Sequence, residues 1–498
     1  MTLRLHDAEL VHDRGRVVTR LFLPGEDPAS SEARTDKIVS RVLALSADEI
    51  ARTAAQAVRE FASKHGDAEA ALIAHAEAVV DRAVDGHPLT RDQELVLGSV
   101  FTSDFAVEGA ALCNPSAVVH PSQEGLGVDE LRVALSVRCI GEGHISSIGF
   151  VEAVIDADGG WTFGDRARPL VRPRVTEGSW SRSHFAHVVQ DDLQVGDVAH
   201  AVVAALPEQF RHADLEAVIA ALPEALAMRP SSIGPLQRLR SAFLSAYEAE
   251  FPSESPLSGR TLMPVTAEEA RGVEDARFVR FVDADGGMSY RATYTAYDGR
   301  HIAPRLLTSR DLTSFSFHRL SGTATHNKGM ALFPRLVGGR HLALTRLGGE
   351  DISIASSDDG LVWDDLGPIC SPRESWELIQ LGNCGSPIET PEGWLVLTHA
   401  VGPLRTYSLG AMLLDLDDPA KVIRRARTPL LRPEDDLIEG YVPRVVYSCG
   451  AILHRGIVWI PLGVGDFRIR VASIGLDELL DSLEPEPPQS QPRRLKMR

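Results

Sequence analysis

The 498-residue sequence predicts a mainly β fold, a five-bladed β-propeller with an N-terminal helical region and a helical insertion. Two observations carry this prediction. From Asn114 onward, short apolar stretches alternate with turns rich in Gly, Pro and Asp, as is typical of short antiparallel strands. One layout also recurs about every 55 residues, with equivalent points at Asp275, Gly329, Gly385 and Val442. Repeats of this length with three or four strands each indicate propeller blades.

The N-terminal strand and helical region covers residues 1–105. A strand-like segment over 16–23 comes first. Ser46 then begins a capping box, in which its side chain and the Glu three residues later satisfy backbone N–H groups at the start of a helix. Two further helices are predicted, over about 68–84 and from about 90 to 105, because apolar residues recur there at helical spacing.

The predicted catalytic propeller spans residues 106–480. The first repeat is far too long for one blade, and its excess contains helical patterns, so a helical insertion is predicted over about 200–255. The Pro-rich tail at 481–498 is predicted to be disordered.

Two of the repeats end in the same way, which suggests a blade corner. Asp311 precedes Phe315 in one repeat, and Asp359 precedes Trp363 in another, each after a Ser/Thr-containing stretch. An Asp side chain readily closes a β-turn by accepting from the backbone. We therefore expect both aspartates to close turns between outer strands.

Charge and composition exclude several functions. The chain has 51 basic and 69 acidic side chains, a net charge of −18, which disfavours a nucleic acid partner. The five cysteines show no CxxC spacing, so neither a disulfide framework nor a zinc site is expected. The N-terminus lacks a signal-peptide pattern and no apolar run approaches the roughly 18 residues of a membrane span, which predicts a cytoplasmic protein without a membrane partner.

Polar side chains cluster at the start of the innermost strand of each predicted blade, near the propeller axis, and on the strand that follows. Such convergent carboxylates, amides and cations suit a hydroxyl-rich ligand such as a small oligosaccharide. The candidate substrate-binding residues are Asn114, Ser116, Arg138, Arg277, Asn327, Lys328, Arg346, His399, Tyr441 and Asp466. The candidate catalytic carboxylates are Asp275, Glu389 and Glu439, since glycosidic cleavage needs a proton donor and a second activating group.

Several segments together resemble glycoside hydrolase family 130. They are Gly272-Val-Glu-Asp-Ala-Arg277, Asn327-Lys-Gly-Met-Ala-Leu-Phe-Pro334, Gly382-Asn-Cys-Gly-Ser-Pro-Ile-Glu-Thr390, Gly393-Trp-Leu-Val-Leu-Thr-His-Ala-Val-Gly402 and Glu439-Gly-Tyr-Val-Pro-Arg-Val-Val-Tyr-Ser448. The resemblance implies a five-bladed propeller that phosphorolyses or hydrolyses β-mannosides with inversion, without a metal or an organic cofactor.

The same resemblance implies roles for individual residues. Asp275 matches the general acid, which protonates the leaving oxygen through the 3-hydroxyl of the mannose. Asn114, Ser116, Arg138 and Asp466 match positions that hold the sugar being cleaved.

The sequence leaves open whether phosphate or water attacks. A phosphorylase needs cationic donors for a dianion, and Arg346, His399 and Lys328 match such positions. Glu389 and Glu439, however, are expected on the same face, where carboxylates repel phosphate but can serve as a base for water.

We therefore expect an inverting β-mannosidase that uses water on short, β-1,2-linked mannosides. The alternatives are a β-mannoside phosphorylase, with inorganic phosphate as co-substrate, and a non-catalytic carbohydrate-binding propeller. Thr398, where phosphorylases carry a Tyr before the His, favours the hydrolase. A homo-oligomer through the N-terminal helices is also possible.

Two departures from the family pattern stand out. Ala276 replaces the usual Pro of the Glu-Asp-Pro-Arg motif, and Arg444 replaces the usual Asn of the Tyr-Val-Pro-Asn segment. Ala276 is expected to loosen the turn that aims Asp275, and Arg444 adds a cation near the site that favours anion binding. Together they predict an altered linkage or acceptor preference.

Overall fold

The N-terminal region combines strands with a four-helix core. The computed structural model describes residues 3–25, 28–83, 88–191, 196–433 and 440–486. The first elements are β1 (Arg4–Val11), β2 (Val17–Leu21), α1 (Pro28–Leu43), α2 (Ala47–Ala62), α3 (Ala68–Ala83), α4 (Arg91–Val100) and β3 (Thr102–Ala106). The four helices bury one shared core of aliphatic side chains and Phe101.

The predicted capping box is confirmed at the start of α2. Ser46 Oγ accepts from the backbone N–H of Glu49 at 3.4 Å, and the Glu49 carboxylate accepts from the N–H of Ser46 at 2.9 Å. The helix predicted to run to about residue 105 is wrong at its end. Residues 102–106 are β3, paired antiparallel with β2, because a partner strand is available there to satisfy the backbone.

The rest of the chain is mainly β with helices, which confirms this part of the prediction. In the described residues the strands after 106 fall into five groups in chain order. The first is β4 (Ala111–Val119), β5 (Leu131–Ile140), β6 (Ser146–Ile155) and β7 (Trp161–Phe163). Before the second group come β8 (Arg174–Glu177), β9 (Trp180–Ser181), α5 (Arg182–Asp191), α6 (Asp197–Ala205), β10 (Gln209–Phe210), α7 (His212–Ala220), α8 (Glu224–Ala227), α9 (Pro230–Phe243), β11 (Tyr247–Glu250) and β12 (Thr261–Leu262).

The other four groups follow without long interruptions. The second is β13 (Gly272–Val282), β14 (Met288–Tyr297), β15 (Ile302–Ser309) and β16 (Ser314–Arg319). The third is β17 (Ala331–Leu332), β18 (His341–Thr345), β19 (Ile352–Ser357) and β20 (Asp364–Cys370). The fourth is β21 (Gln380–Asn383), β22 (Ile388–Thr390), β23 (Gly393–Val401), β24 (Tyr407–Leu414) and β25 (Val422–Arg425). The fifth is β26 (Val446–Tyr447), β27 (Ile452–His454), β28 (Ile457–Val464) and β29 (Arg468–Gly475), followed by α10 (Leu476–Asp481) and β30 (Glu484–Pro485).

Strand pairing joins the two ends of the chain to these groups. Within the groups the paired strands run antiparallel, and β1 pairs antiparallel with β29, so the N-terminal strand lies at the edge of the fifth group. β30 pairs with β25 of the fourth group. The tail predicted to be disordered from residue 481 is therefore ordered as far as residue 486, and the remainder of it lies outside the described residues.

The helical insertion begins earlier and ends earlier than predicted. Its helices run from Arg182 to Phe243, around an aromatic and aliphatic core of their own. Its last helix stops at Phe243, before the predicted end of the insertion, because the next residues form β11, which pairs with β16. Tyr247 stacks there on Phe317 with ring centroids 4.3 Å apart. None of the helices in the described ranges is long and apolar enough to cross a membrane.

The two predicted aspartate turns have the same geometry. Asp311 Oδ1 accepts from the N–H groups of Thr313 and Ser314 at 2.8 and 3.0 Å. Asp359 Oδ1 accepts from Leu361 and Val362 at 2.8 and 2.9 Å. Each turn thus connects an outer pair of strands, as the sequence predicts.

Replacing Asp359 with Ala should lower the free energy of unfolding by about 1–2 kcal/mol, because two backbone N–H groups lose their acceptor. The neighbouring Asp358 is a matched control, since its side chain is 86% exposed and makes only a surface ion pair with Arg340. We expect Asp358→Ala to change the unfolding free energy by less than about 0.5 kcal/mol in urea titrations. Equal losses for the two variants would contradict the role of the turn.

Candidate active site

A cavity of about 280 Å³ lies where strand ends from all five groups converge. Its lining is mostly polar and charged. The lining residues are Asn114, Arg138, Asp275, Arg277, Lys328, Arg346, Gln380, His399, Arg405, Tyr407, Val442, Val445, Tyr447 and Asp466. Eight of the thirteen residues predicted for the site are thus brought together here.

Two matching β-bulges direct Asn114 and Asp275 toward each other. The register shifts between Cys113 and Ser116 in β4, and between Glu274 and Arg277 in β13. Asn114 and Asp275 have φ values of 50° and 55°, in the left-handed region that non-glycine residues seldom adopt. As a result, Asn114 Nδ2 donates to Asp275 Oδ1 across the two strands. The bulge forms although Ala276 stands in place of the family's Pro.

Arg138 binds both carboxylates of the Glu-Asp pair. Its Nη1 donates to Asp275 Oδ1 at 3.0 Å, its Nη2 donates to Glu274 Oε1 at 2.5 Å, and its Nε donates to Ser146 Oγ at 2.9 Å. Burial by itself would raise the pKa of Asp275, but the positive charges of Arg138 and Lys328 outweigh it and hold that pKa below its usual range. Burial instead raises the pKa of Glu274, helped by the negative charge of Asp275.

Asp466 is the second carboxylate in the cavity. It follows β28 in a tight turn with φ of 47°. Burial, with the negative charge of Asp275, raises the pKa of Asp466 to about 6, although Arg138 opposes the shift. A carboxyl with this pKa exchanges its proton close to neutral pH.

The raised pKa of Asp466 predicts a pH-dependent stability. The folded state binds this proton more tightly than the unfolded chain, so the contribution is fully present below about pH 4 and is lost as pH rises through about 6. Because Asp466→Asn stays neutral, the unfolding free energy of the wild type relative to this variant should fall by up to about 3 kcal/mol between pH 4 and 7. Urea titrations at both pH values measure this. Asp358→Asn, on the exposed surface, should show no such change, and a pH-independent difference for Asp466→Asn would contradict the assignment.

The part of the cavity around His399, here called the cationic end, carries arginine side chains. Arg277 is buried; its Nη2 donates to the Tyr447 hydroxyl at 2.8 Å and its Nε to the Cys384 carbonyl at 2.7 Å. Arg346 Nη1 lies 3.2 Å from His399 Nε2, and the Nε of Arg346 has no hydrogen-bond partner among the described residues.

His399 is a neutral imidazole at this end. Burial, followed by the positive charges of Arg346 and Arg277, lowers its pKa well below the usual value. Because a guanidinium can only donate, Nε2 of His399 accepts from Arg346 and the proton lies on Nδ1. Its ring lies 4.6 Å from that of Tyr447, centroid to centroid.

Three predicted substrate-binding residues lie away from the cavity. Ser116 is fully buried, and its Oγ accepts from the backbone N–H of Phe278 at 3.0 Å, so it fixes β4 against β13. Asn327 caps its own loop by accepting from the N–H of Lys328. Tyr441 is 48% exposed, and its hydroxyl lies 2.5 Å from His144 Nε2.

Glu389, which was predicted to act with Glu439 as a base for water, lies outside the cavity. Glu389 lies in the short outer strand β22, its side chain is 41% exposed, and its carboxylate accepts from Arg335 at 2.5 and 2.9 Å. It was expected near the axis because its repeat begins only a few residues earlier, but the chain turns outward before reaching it. Glu439 lies outside the described residues.

Four polar residues of the cavity were not predicted from the sequence. Gln380, Arg405, Tyr407 and Tyr447 all line it. Arg405 lies in the hairpin between β23 and β24, and Tyr407 begins β24, so both are close to the strand end that carries His399. Their position in the second hairpin of the repeat was the available signal. Tyr447 was missed because the innermost strand of the fifth group begins at Val446, later than the repeat spacing indicated.

The chain is similar in sequence to known proteins over the segment that contains most of the cavity residues. The family model described as β-1,4-mannooligosaccharide phosphorylase, glycoside hydrolase family 130, matches residues 256–485. The 1,2-β-oligomannan phosphorylase of Thermoanaerobacter sp. (strain X514) is 37% identical over 221 residues, which cover 43% of this chain and 72% of that protein. The chain belongs to glycoside hydrolase family 130. The resemblance seen in the sequence is thereby confirmed.

Two Listeria innocua matches concern the same type of enzyme. The β-1,2-mannobiose phosphorylase of serovar 6a (strain ATCC BAA-680 / CLIP 11262) is 32% identical to this family 130 member over 232 residues, or 45% of this chain and 64% of that protein. A solved structure of the β-1,2-mannobiose phosphorylase from Listeria innocua, in complex with β-1,2-mannobiose, aligns with a TM-score of 0.45 and 21% identity, covering 76% of this chain and 93% of that one.

The prediction of a hydrolase as the main activity is wrong. The curated relatives of this family 130 member are named as phosphorylases of mannosides. Water as the attacking group also requires a base, and Glu389 was predicted to be part of it. Glu389 instead pairs with Arg335 outside the cavity.

Proposed function

We propose that this protein is an inverting β-mannoside phosphorylase that cleaves short, β-1,2-linked mannosides with inorganic phosphate. The observation that carries the proposal is the cationic end of the cavity. Arg277, Arg346 and the neutral His399 face one space there, and in the described part of the chain Arg346 forms no ion pair with a carboxylate. The names of the curated relatives support the same activity.

A phosphate dianion fits the donors at this end. Phosphate is bound most strongly by charge-assisted hydrogen bonds, and arginine supplies them in a planar fork. Arg346 Nε has no partner among the described residues, and Lys328, whose charge acts on Asp275, also lines the cavity. Gln380 and Tyr407 add neutral hydrogen-bonding groups.

The other end of the cavity suits the mannosyl unit. Asn114, Arg138, Asp275 and Asp466 offer donors and acceptors in a buried setting, as a polyol requires. We infer that a phosphate oxygen attacks the anomeric carbon from the cationic end. The bond from that carbon to the glycosidic oxygen breaks, its electron pair stays on the leaving oxygen, and the product is α-mannose 1-phosphate.

Asp275 supplies the proton to the leaving oxygen in this proposal, directly or through a sugar hydroxyl. In the free protein its pKa is held low by Arg138 and Lys328, so at neutral pH the carboxyl is ionised. A bound phosphate dianion offsets those positive charges and raises the pKa of Asp275. Phosphate is therefore both the nucleophile and the group that allows the acid to be protonated.

We further infer that the five strand groups are the five blades of a β-propeller. Each group contributes at least one residue to the cavity, as expected if the innermost strands surround one axis. Pairing of β1 with β29 would then join the two ends of the chain within the last blade.

The test is to incubate the protein with β-1,2-mannobiose, with and without phosphate, and to measure mannose and mannose 1-phosphate. We expect mannose 1-phosphate and one equivalent of mannose with phosphate, and no cleavage without it. Two equivalents of mannose in phosphate-free buffer would overturn the proposal. Binding of mannobiose without product under either condition would instead favour the non-catalytic alternative.

A further inference from the structure

Arg444 occupies a backbone position that suits arginine poorly. Its φ is 64°, in the left-handed region, where Asn is several-fold enriched among non-glycine residues. The Tyr-Val-Pro-Asn segment of the family carries Asn at this position, so this chain has exchanged a well-suited residue for a strained one. Strain of this kind is a reason to look for a function of the side chain.

Arg444 belongs to a segment at the rim of the cavity. Val442 and Val445, on either side of it, line the cavity, while Arg444 itself is exposed. Its carbonyl accepts from the N–H of Tyr407 at 2.9 Å, which ties it to the hairpin that carries Arg405.

Arg405 is a second strained arginine on that hairpin. Its φ is 55°, and it lines the cavity. Among the described residues neither Arg405 nor Arg444 forms an ion pair. Two exposed arginines that form no ion pair among the described residues therefore lie on segments joined by a backbone hydrogen bond, with Arg405 at the mouth of the cavity, in a chain whose net charge is −18.

We propose that Arg444 and Arg405 bind an anionic group, a carboxylate or a phosphate ester, on the sugar that leaves the reaction. This inference rests on the proposed phosphorylase activity and adds the class of acceptor. The mannosyl unit is held by the buried residues around Asp275, so the leaving sugar faces the mouth. The phosphate co-substrate already has the buried Arg277 and the partly buried Arg346 as donors, and it does not need the exposed rim.

The reverse reaction tests this directly. With α-mannose 1-phosphate as donor, kcat/KM is measured for mannose, mannuronate and mannose 6-phosphate as acceptors. We expect the wild type to prefer the two anionic acceptors by about tenfold, and Arg444→Asn to reduce that ratio by about three- to tenfold, as for a partly exposed charge-assisted contact. Because each variant is judged by a ratio, a change in the amount of folded enzyme does not affect the result.

Arg455→Asn is the matched control. Arg455 also has a left-handed φ, of 51°, and a half-exposed side chain, but it lies in the β27–β28 hairpin near Asp129, away from the cavity. This variant removes the same charge and the same strain, and we expect an unchanged acceptor ratio.

Three results would overturn the inference. One is equal preference for neutral and anionic acceptors in the wild type. Another is an acceptor ratio that Arg444→Asn leaves unchanged. The last is a loss confined to the KM for phosphate in the forward reaction, which would assign the rim to the co-substrate.

A failure of the proposed function looks different, since no acceptor would then react. In that case calorimetric titration with mannose and mannuronate decides the inference by itself. Tighter binding of mannuronate that is lost in Arg444→Asn but kept in Arg455→Asn would support it. Equal binding of the two sugars would overturn it.

Discussion

Asp275→Asn should lower kcat for phosphorolysis of β-1,2-mannobiose by about 10³-fold, with little change in KM. General acid catalysis contributes typically 10² to 10⁴ in rate, and an amide cannot supply the proton. The Oδ1 of the introduced Asn can still accept from Asn114 and Arg138, so the cavity should keep its shape. Steady-state rates of mannose 1-phosphate formation measure the effect.

A substrate with a better leaving group provides a second test of the Asp275→Asn variant. A dinitrophenyl β-mannoside releases an oxygen that needs almost no protonation, so Asp275→Asn should lose far less activity on it than on mannobiose. Glu389→Gln is the control, because Glu389 pairs with Arg335 outside the cavity, and its rates should stay within about twofold of the wild type. Unchanged turnover of mannobiose by Asp275→Asn, or equal losses on both substrates, would remove Asp275 from the role of acid.

Arg346→Met should raise the KM for phosphate by about 10- to 100-fold. The substitution keeps the apolar stem of the side chain and removes a partly buried guanidinium, whose hydrogen bonds to an anion contribute about 1.5–3 kcal/mol. The KM for mannobiose should change much less, since Arg138 and Asp466 at the sugar end are untouched. Initial rates over a matrix of phosphate and mannobiose concentrations separate the two constants.

Arg340→Met is the matched control for this prediction. Arg340 is a half-exposed arginine that immediately precedes β18, whereas Arg346 immediately follows it. The Nε of Arg340 donates to the exposed Asp358 at 2.8 Å. It should leave both constants within about twofold of the wild type. A rise in the KM for mannobiose with no change for phosphate would assign Arg346 to the sugar instead.

Local signals in the sequence were sufficient where a feature depends on neighbouring residues. The capping box at Ser46 and the turns closed by Asp311 and Asp359 formed as predicted, because the atoms that bond are two or three residues apart. The same reasoning failed at residues 102–106, where a helical pattern gave way to a strand. Pairing with β2, more than eighty residues earlier, decides that segment.

The candidate site shows the same division between local and distant interactions. Asn114, Asp275 and Arg277 could be named because the motif segments and the repeat spacing assign them to the starts of innermost strands. Arg138 could be named because it falls on the strand that follows. Spacing alone could not separate Asp275 from Glu389. An aspartate turned inward by a bulge and a glutamate in the middle of a three-residue outer strand are equally close to a motif in the sequence.

By itself, the sequence determined the mainly β class, the repeat, the family, and most residues of the sugar end, since periodicity and motifs are properties of nearby residues. The tertiary structure alone decided which charges share the cavity. It brings Arg346 beside His399, 53 residues away, and pairs Glu389 with Arg335 outside. The choice between water and phosphate depends on that sorting of charges, because electrostatic energy depends on distance in space and burial, which spacing along the chain does not report.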